Sequence, residues 1–278
     1  MRIFAICFMN AVLHYLLFPL RWIWRTLFFV NAVLTFFIFF PVFYVLLKNE
    51  KHFKYVFWLK KLWAHLILFP LLIFYRIERA SKLDKSRAYV FCPNHTSYLD
   101  IMLIYISIPV YFHTIGKAEL QKVPLFRKFF DRMNIPVNRQ SVKDSHRAFM
   151  RAGSDLDKGL SITLFPEGTI HHEGPRMGRF KNGPFRLAIQ HQVPIVPITF
   201  LNNWILMPDD FRRSAGRPGL ARVIIHEPIE TKGMTMHDLK TLQQKVYEVI
   251  DSPLREAFPD SFPAESPFPA APQLVEGA

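Results

Sequence analysis

Apolar residues fall into two regimes along this chain. Up to about residue 75 they run on with little alternation. Thr26 to Leu47 is 22 residues without a charge, about 33 Å long as a helix, enough to cross the hydrocarbon core of a bilayer. Phe lies on every side of that run, which predicts a lipid-facing helix rather than a buried one. Ile3–Leu20 is a second uncharged run, weakened by Asn10, His14 and Pro19. Leu62–Tyr75 is a third, and its 14 residues are short for a span and predict an interfacial helix. No small-x-small cleavage site follows the first run, so a retained anchor is expected. Pro41 permits a kink. The expected geometry is a helical hairpin dipping into one leaflet, with both ends at the cytoplasmic surface.

Beyond Tyr75 the runs shorten and alternate in type. Ala88–Cys92, Val110–Ile115, Ile135–Val137, Ser161–Phe165, Ile195–Phe200 and Ala221–His226 read as strands. Between them, Tyr98–Ser107, Leu125–Met133, Val142–Leu156 and Pro184–His191 read as helices, and a longer helix from about Met236 to Ala257 closes the pattern. Strand–helix alternation predicts an α/β domain with helices on the sheet faces. The expected organisation is a membrane-anchoring helical segment over 1–80, the α/β domain over 81–258, and a Pro-rich tail over 259–278, periodless and so expected to be disordered.

Charge sharpens the first regime. The formal net charge is +13, and residues 1–80 hold ten Lys and Arg against two acids. A strongly basic chain suits nucleic acid or an anionic membrane. Here the excess surrounds the apolar runs, with Lys54, Lys60, Lys61, Arg76 and Arg79 about the third, so an anionic membrane surface is expected and nucleic acid is not. Arg21 and Arg25 precede Thr26–Leu47 and Lys48, Lys51 and Lys54 follow it, so charge alone does not orient a single crossing. The two cysteines, Cys7 and Cys92, form no disulfide or zinc pattern.

Chemistry concentrates where apolar runs end. In "AYVFCPNHTSYLD" a short strand stops at Pro93-Asn94, and Ser97 opens a helix with Asp100 at capping-box spacing. Asp100 can simply cap that helix. Because the helix starts between the two residues, His95 can also fold back over its first turn and donate one ring nitrogen to Asp100, leaving the other as a base. In "SITLFPEGTIHHEGPRMGRFKNGPF" a strand ends in a tight turn at Glu167-Gly168-Thr169, and Arg176, Arg179 and Lys181 follow in a Gly-rich loop suited to an anion. Taken alone, that loop reads as solvated. "GKAEL" puts Lys117 past another strand, and "NIPVNR" ends in Arg139; strand ends are where α/β sheets place ligands. "VPIVPITF" reads as a buried strand with an edge-tolerated proline. His171-His172-Glu173 lacks the i, i+4 helical spacing of a zinc site and reads as solvated.

These four blocks, in this order and rough spacing over about residues 90 to 200, resemble the PlsC-like glycerolipid acyltransferases, the 1-acylglycerol-3-phosphate acyltransferases among them. The resemblance implies a mixed β-sheet flanked by helices, tethered by an N-terminal helical segment to the cell membrane with the catalytic domain on its cytoplasmic face. It makes His95 the general base and Asp100 its orienting partner. Lys117 and Arg139 match the phosphate-binding cations, and Glu167, Gly168 and Thr169 match the acceptor-binding turn. Ile170 departs from the polar or basic residue many members carry, and Arg176 or Arg179 is the expected replacement.

The implied reaction moves an acyl group from acyl-CoA or acyl-carrier protein to a lysophospholipid hydroxyl. Neutral imidazole suits the base near pH 7, and a carboxylate on its far nitrogen fixes the tautomer. Neither metal nor cofactor is expected beyond the donor, and Cys92 is no nucleophile on this reading. A lyso-aminolipid is the alternative acceptor. A non-catalytic anionic-lipid-binding protein would need no imidazole base, and a serine hydrolase would need the missing G-x-S-x-G.

Overall fold

The computed structural model describes residues 2–119, 126–210 and 216–262. The first apolar regime is a single 45-residue helix, α1 (Arg2–Leu46), which runs unbroken through Pro19 and Pro41. The chain reverses only at residues 47–52, and α2 (Phe53–Leu68) packs back along α1. The expected turn at Pro41 is therefore displaced to Lys48–Glu50, where the apolar run gives out and Asn49 accepts from the Lys51 amide. Polar groups clasp the two helices. Asn31 Nδ2 donates to the Leu66 and Ile67 carbonyls at the end of α2, and Trp63 Nε1 donates to Thr35 Oγ1 at 2.8 Å. Carbonyls in the last turn of a helix lack partners within it, so Asn31 both caps and docks.

The third run is not one helix. Pro70 follows the end of α2, Leu72 is left-handed (φ 55°), and Ile73–Arg79 is strand β1. Its face cations also divide. Lys60 is buried, its ammonium 3.2 Å from Tyr105 Oη and pulled down to about 7 by desolvation, whereas Lys54, Arg76 and Arg79 are exposed. Helical spacing puts Lys60 with Val56, Phe57 and Ala64 on the face turned to the domain.

Six further strands complete the sheet: β2 (Val90–Pro93), β3 (Phe112–Lys117), β4 (Asn134–Val137), β5 (Ser161–Thr163), β6 (Ile195–Phe200) and β7 (Gly219–Ile225). Their order is β1-β7-β6-β2-β5-β3-β4. The stretch from β6 to β4 is parallel, and β7 joins β6 antiparallel, with β1 parallel to β7. The sheet is mixed. Helices α3 (Leu99–Ser107), α4 (Phe126–Met133), α5 (Val142–Asp157), α6 (Gly183–His191), α7 (Asn203–Leu206) and α8 (Leu239–Ala257) connect and close it.

Two apolar layers explain why the central strands read as continuous apolar runs. Phe91 faces a core shared with α2 and α3, while Val90 and Cys92 face one shared with α5, α6 and α8. β6 lies between β2 and β7, so Pro197 is not on an edge strand as expected. It is tolerated because the ladder to β7 covers only Ile198–Phe200. The chain stays packed through a short turn at Pro259–Ser261 to Phe262. The rest of the expected tail lies outside the described residues, as do Leu120 and Leu125.

Candidate active site

Parallel strands end at one edge of the sheet, and the motifs follow those ends. β2 delivers His95, β3 ends at Lys117, β4 leads to Arg139, β5 leads to Glu167, and β6 leads to Asn203. Residues far apart in sequence thus meet at one carboxyl-terminal edge, the usual ligand side of such a sheet.

His95 Nδ1 is 2.9 Å from Asp100 Oδ2. The same oxygen accepts from the Thr96 and Ser97 amides at 2.8 and 2.9 Å, and Oδ1 accepts from Asn203 Nδ2 at 2.7 Å. Asp100 is therefore both helix cap and orienting partner. Ser97 Oγ accepts from the Leu99 amide, completing the local cap one residue short of the expected position. With Asp100 receiving donors only, the neutral ring donates from Nδ1 and leaves Nε2 bare, and Nε2 has no hydrogen-bond partner among the described residues. Asp100 is fully buried, whereas His95 keeps 9% of its surface exposed. That difference is what a base needs: a shielded partner and an accessible nitrogen. Phe165 stacks on the imidazole at 3.9 Å between centroids and fixes its plane.

The turn after β5 is tied to the same loop. Glu167 Oε1 accepts from the His95 amide at 2.7 Å and Oε2 from the Gly178 amide at 2.8 Å. Burial pushes the Glu167 carboxyl up to about 8, against the pull of those two amides. Both oxygens are thus occupied within the protein, and Glu167 acts as a clasp between two loops. The His171 amide donates to the His95 carbonyl at 2.8 Å, a third tie. Asn94 pairs with Phe200 through both its amide groups, locking the end of β2 to that of β6.

The cations sort themselves. Arg139 Nη1 donates to the Gly168 carbonyl, and a Cβ at Gly168 (φ 75°) would lie 2.9 Å from Lys181 Nζ. The left-handed backbone favours glycine there, and the Lys181 side chain packs over the space a Cβ would take. Arg139, Gly168 and Lys181 line one cleft of about 200 Å³, whose other walls include Val137, Phe149, Leu164, Phe165 and Leu187. The main chain of Lys117 pairs with Val137, two residues before Arg139, so both predicted cations start from adjoining strand ends. Thr169 is exposed beside the turn. Arg176 and Arg179 are exposed and line no part of this cleft, and Arg176 pairs with Glu173 at 3.3 Å. Lys181 stands where those arginines were expected. His172 is not merely solvated either: its Nδ1 lies 3.2 Å from Asp209.

Sequence reasoning missed Asn203 and Asn94 and passed over Lys181 as a site residue. Asn203 carries no local signal, because it meets Asp100 only when β6 and β2 are neighbours. Cys92 is buried and desolvation pushes its thiol up, as befits a core residue rather than a nucleophile.

Known proteins resemble this chain in sequence and in fold. A family model described as Acyltransferase matches residues 75–201. A chloroplastic 1-acyl-sn-glycerol-3-phosphate acyltransferase of Arabidopsis thaliana is 33% identical over 192 residues, covering 67% of this chain and 52% of that protein. The human 1-acyl-sn-glycerol-3-phosphate acyltransferase alpha is 28% identical over 192 residues, covering 66% and 65%. The crystal structure of the 1-acyl-sn-glycerophosphate acyltransferase PlsC from Thermotoga maritima superposes with a TM-score of 0.71 at 25% identity, covering 84% of this chain and 95% of that one. The chain spans about half the length of the Arabidopsis and Brassica napus relatives it matches. On these likenesses the chain belongs to the acyltransferase family, its matched stretch opening in β1 and closing just past β6.

Proposed function

We propose that this enzyme transfers an acyl group from acyl-CoA or acyl-carrier protein to the sn-2 hydroxyl of 1-acyl-sn-glycerol 3-phosphate, giving phosphatidic acid. The observation that carries the proposal is the bare Nε2 of His95 beside a Nδ1 held by buried Asp100. The names of the relatives supply the substrate class. His95 Nε2 takes the hydroxyl proton as the acceptor oxygen attacks the thioester carbonyl. The C–S bond then breaks, and the imidazolium returns the proton to the departing thiolate. Asp100 stabilises the imidazolium between these steps. Arg139 and Lys181, with Lys117 from the adjoining strand end, supply positive charge for the acceptor phosphate.

Membrane association suits an amphiphilic acceptor. Among the described residues one helical segment, Phe18–Leu46, with mean hydropathy 2.2, is long and apolar enough to cross a membrane. On the proposed reading it holds the domain at the cytoplasmic face of the cell membrane, with Lys54 and Arg76 toward anionic headgroups.

The test supplies purified protein with several lyso-lipids and both donor types and identifies products by mass. Phosphatidic acid formed from lysophosphatidate in preference to lyso-aminolipids is the expected result. Preferred acylation of an acceptor without phosphate would overturn the acceptor assignment.

A further inference from the structure

We infer that Arg25, inside the apolar helix α1, is a positioning residue for the His95–Asp100 pair; the inference rests on the proposed role of His95 as base. Arg25 is only 1% exposed, and its Nη2 donates to the Pro208 carbonyl at 2.7 Å. Pro208 is bridged to Ser97. Ser97 Oγ donates to the Met207 carbonyl at 2.6 Å, while the Ser97 amide is one of the donors to Asp100 Oδ2. The same segment begins at α7, whose Asn203 holds the other oxygen of Asp100. Residues 203–208 therefore grip Asp100 from both sides, and Arg25 grips residues 203–208 from α1.

A charged side chain suits this post. A buried guanidinium is costly unless it is hydrogen-bonded and faced by opposite charge. Asp209 and Asp210, just past the gripped carbonyl, supply that charge. A neighbouring group adds apolar support: Phe29 meets Tyr98 edge-on at 5.8 Å. Releasing Arg25 leaves the pair present but loosely held. Misplacing a reacting group by about 1 Å costs on the order of 100-fold in rate. The loss falls on turnover, because the cations of the proposed acceptor cleft sit on the segments after β4 and β5 and not on residues 203–208.

The experiment uses the full chain in detergent micelles with palmitoyl-CoA and 1-oleoyl-lysophosphatidate. It also follows, by NMR of histidine-labelled protein, the downfield Nδ1 proton shared by His95 and Asp100, assigned by its disappearance in His95→Ala. Arg25→Gln is expected to lower kcat about 10- to 100-fold with KM within about twofold, and to broaden or shift that proton. Arg25→Lys, which keeps a charged donor, is expected to recover part of both. Trp24→Phe, a change on the same helix as Arg25, removes the bond from Trp24 Nε1 to the Leu71 carbonyl in the turn after α2 and is expected to leave kcat and the proton unchanged. An Arg25→Gln protein with full kcat and an unchanged proton, beside an inactive His95→Ala, would overturn the role of Arg25 alone. Equal losses in Arg25→Gln and Trp24→Phe would overturn it too, by assigning the effect to docking of α1 in general. An active His95→Ala would instead sink the base assignment on which the inference stands.

Discussion

Among the described residues two His–Asp pairs are buried, and they differ in what their far nitrogens meet. His95–Asp100 closes at 2.9 Å and His113–Asp155 at 2.8 Å. Both imidazoles sit in the sheet region with a carboxylate on Nδ1. The difference is on the far nitrogen. His113 Nε2 lies 3.0 Å from the Tyr111 hydroxyl, so that ring is satisfied on both sides. Burial pushes the Tyr111 phenol up, which keeps it a donor. His95 Nε2 has no such partner among the described residues, and the cleft lined by Arg139 and Lys181 is built by the segments that follow β4 and β5. A short His–Asp distance is therefore a structural device as readily as a catalytic one. What distinguishes a base is the nitrogen left open.

The sharpest way to break this comparison is to remove each imidazole in turn. His95→Ala is expected to cost about 100- to 10,000-fold in kcat, the usual range for losing a general base. His113→Ala is expected to change kcat less than about threefold while lowering Tm, since only a buried, satisfied network is lost. Matched steady-state kinetics and melting curves check both. Comparable kinetic losses would mean the second pair also serves the reaction.

Replacing each carboxylate by its amide comes next. Asp100 takes bonds from His95, two amides and Asn203. Asp100→Asn turns an NH₂ toward some of those donors, so a kcat loss of about 100-fold is expected. A stability loss of about 1–3 kcal/mol accompanies it, the usual cost of a buried group left unpaired. A cap alone would cost about 1 kcal/mol and no turnover. Asp155→Asn is expected to show a stability loss of similar size with kcat intact.

These pairs also show what the chain makes legible. His95 and Asp100 lie within one strand–turn–helix unit, so local spacing was enough to propose their contact. The central strands were legible because both faces are buried, leaving apolar runs that turn residues bound. His113 and Asp155 are 42 residues apart, and no local pattern joins them. Asn203 depends on strand order, and Lys181 on a loop folding over the Gly168 turn. β1 is hidden because its Ile73-Phe74-Tyr75 start prolongs the apolar run of α2, and of its remaining residues Arg76 and Arg79 are exposed while Ile77 and Glu78 are half-buried beside β7. Lys60 was misplaced because charge predicts solvent, whereas its helical face is turned to Tyr105.

A smaller effect separates the pairs by pH. Only His95 has a buried carboxyl bonded to its own backbone amide, Glu167, pushed up to about 8 from an ordinary 4.5 by burial. A carboxyl raised in the folded state binds its proton more tightly there than in the unfolded chain. Its stabilising contribution is complete below about pH 4.5 and is lost as pH rises through about 8. Tm should therefore fall between pH 5 and pH 8, and Glu167→Gln should flatten that slope. An unchanged slope in the variant would assign the pH dependence to other groups.

The smallest effect is expected from Tyr111→Phe, which tests whether the closed nitrogen keeps the second pair inert. The variant removes one hydroxyl and preserves the ring that meets Phe57 edge-on at 5.3 Å. His113 Nε2 then becomes a buried acceptor without its donor, at a cost of about 1–2 kcal/mol. That ring is now as open as His95 by hydrogen bonding alone. It still lies within the sheet, away from the Gly168 turn and from the cleft that Arg139 and Lys181 line, so kcat should be unchanged. Adding His95→Ala to Tyr111→Phe makes the test stringent, because residual turnover by His113 would no longer be masked. Activity in the double variant above that of His95→Ala alone would show that an open nitrogen suffices. Equal activity would show that an open nitrogen beside a buried carboxylate is not enough by itself.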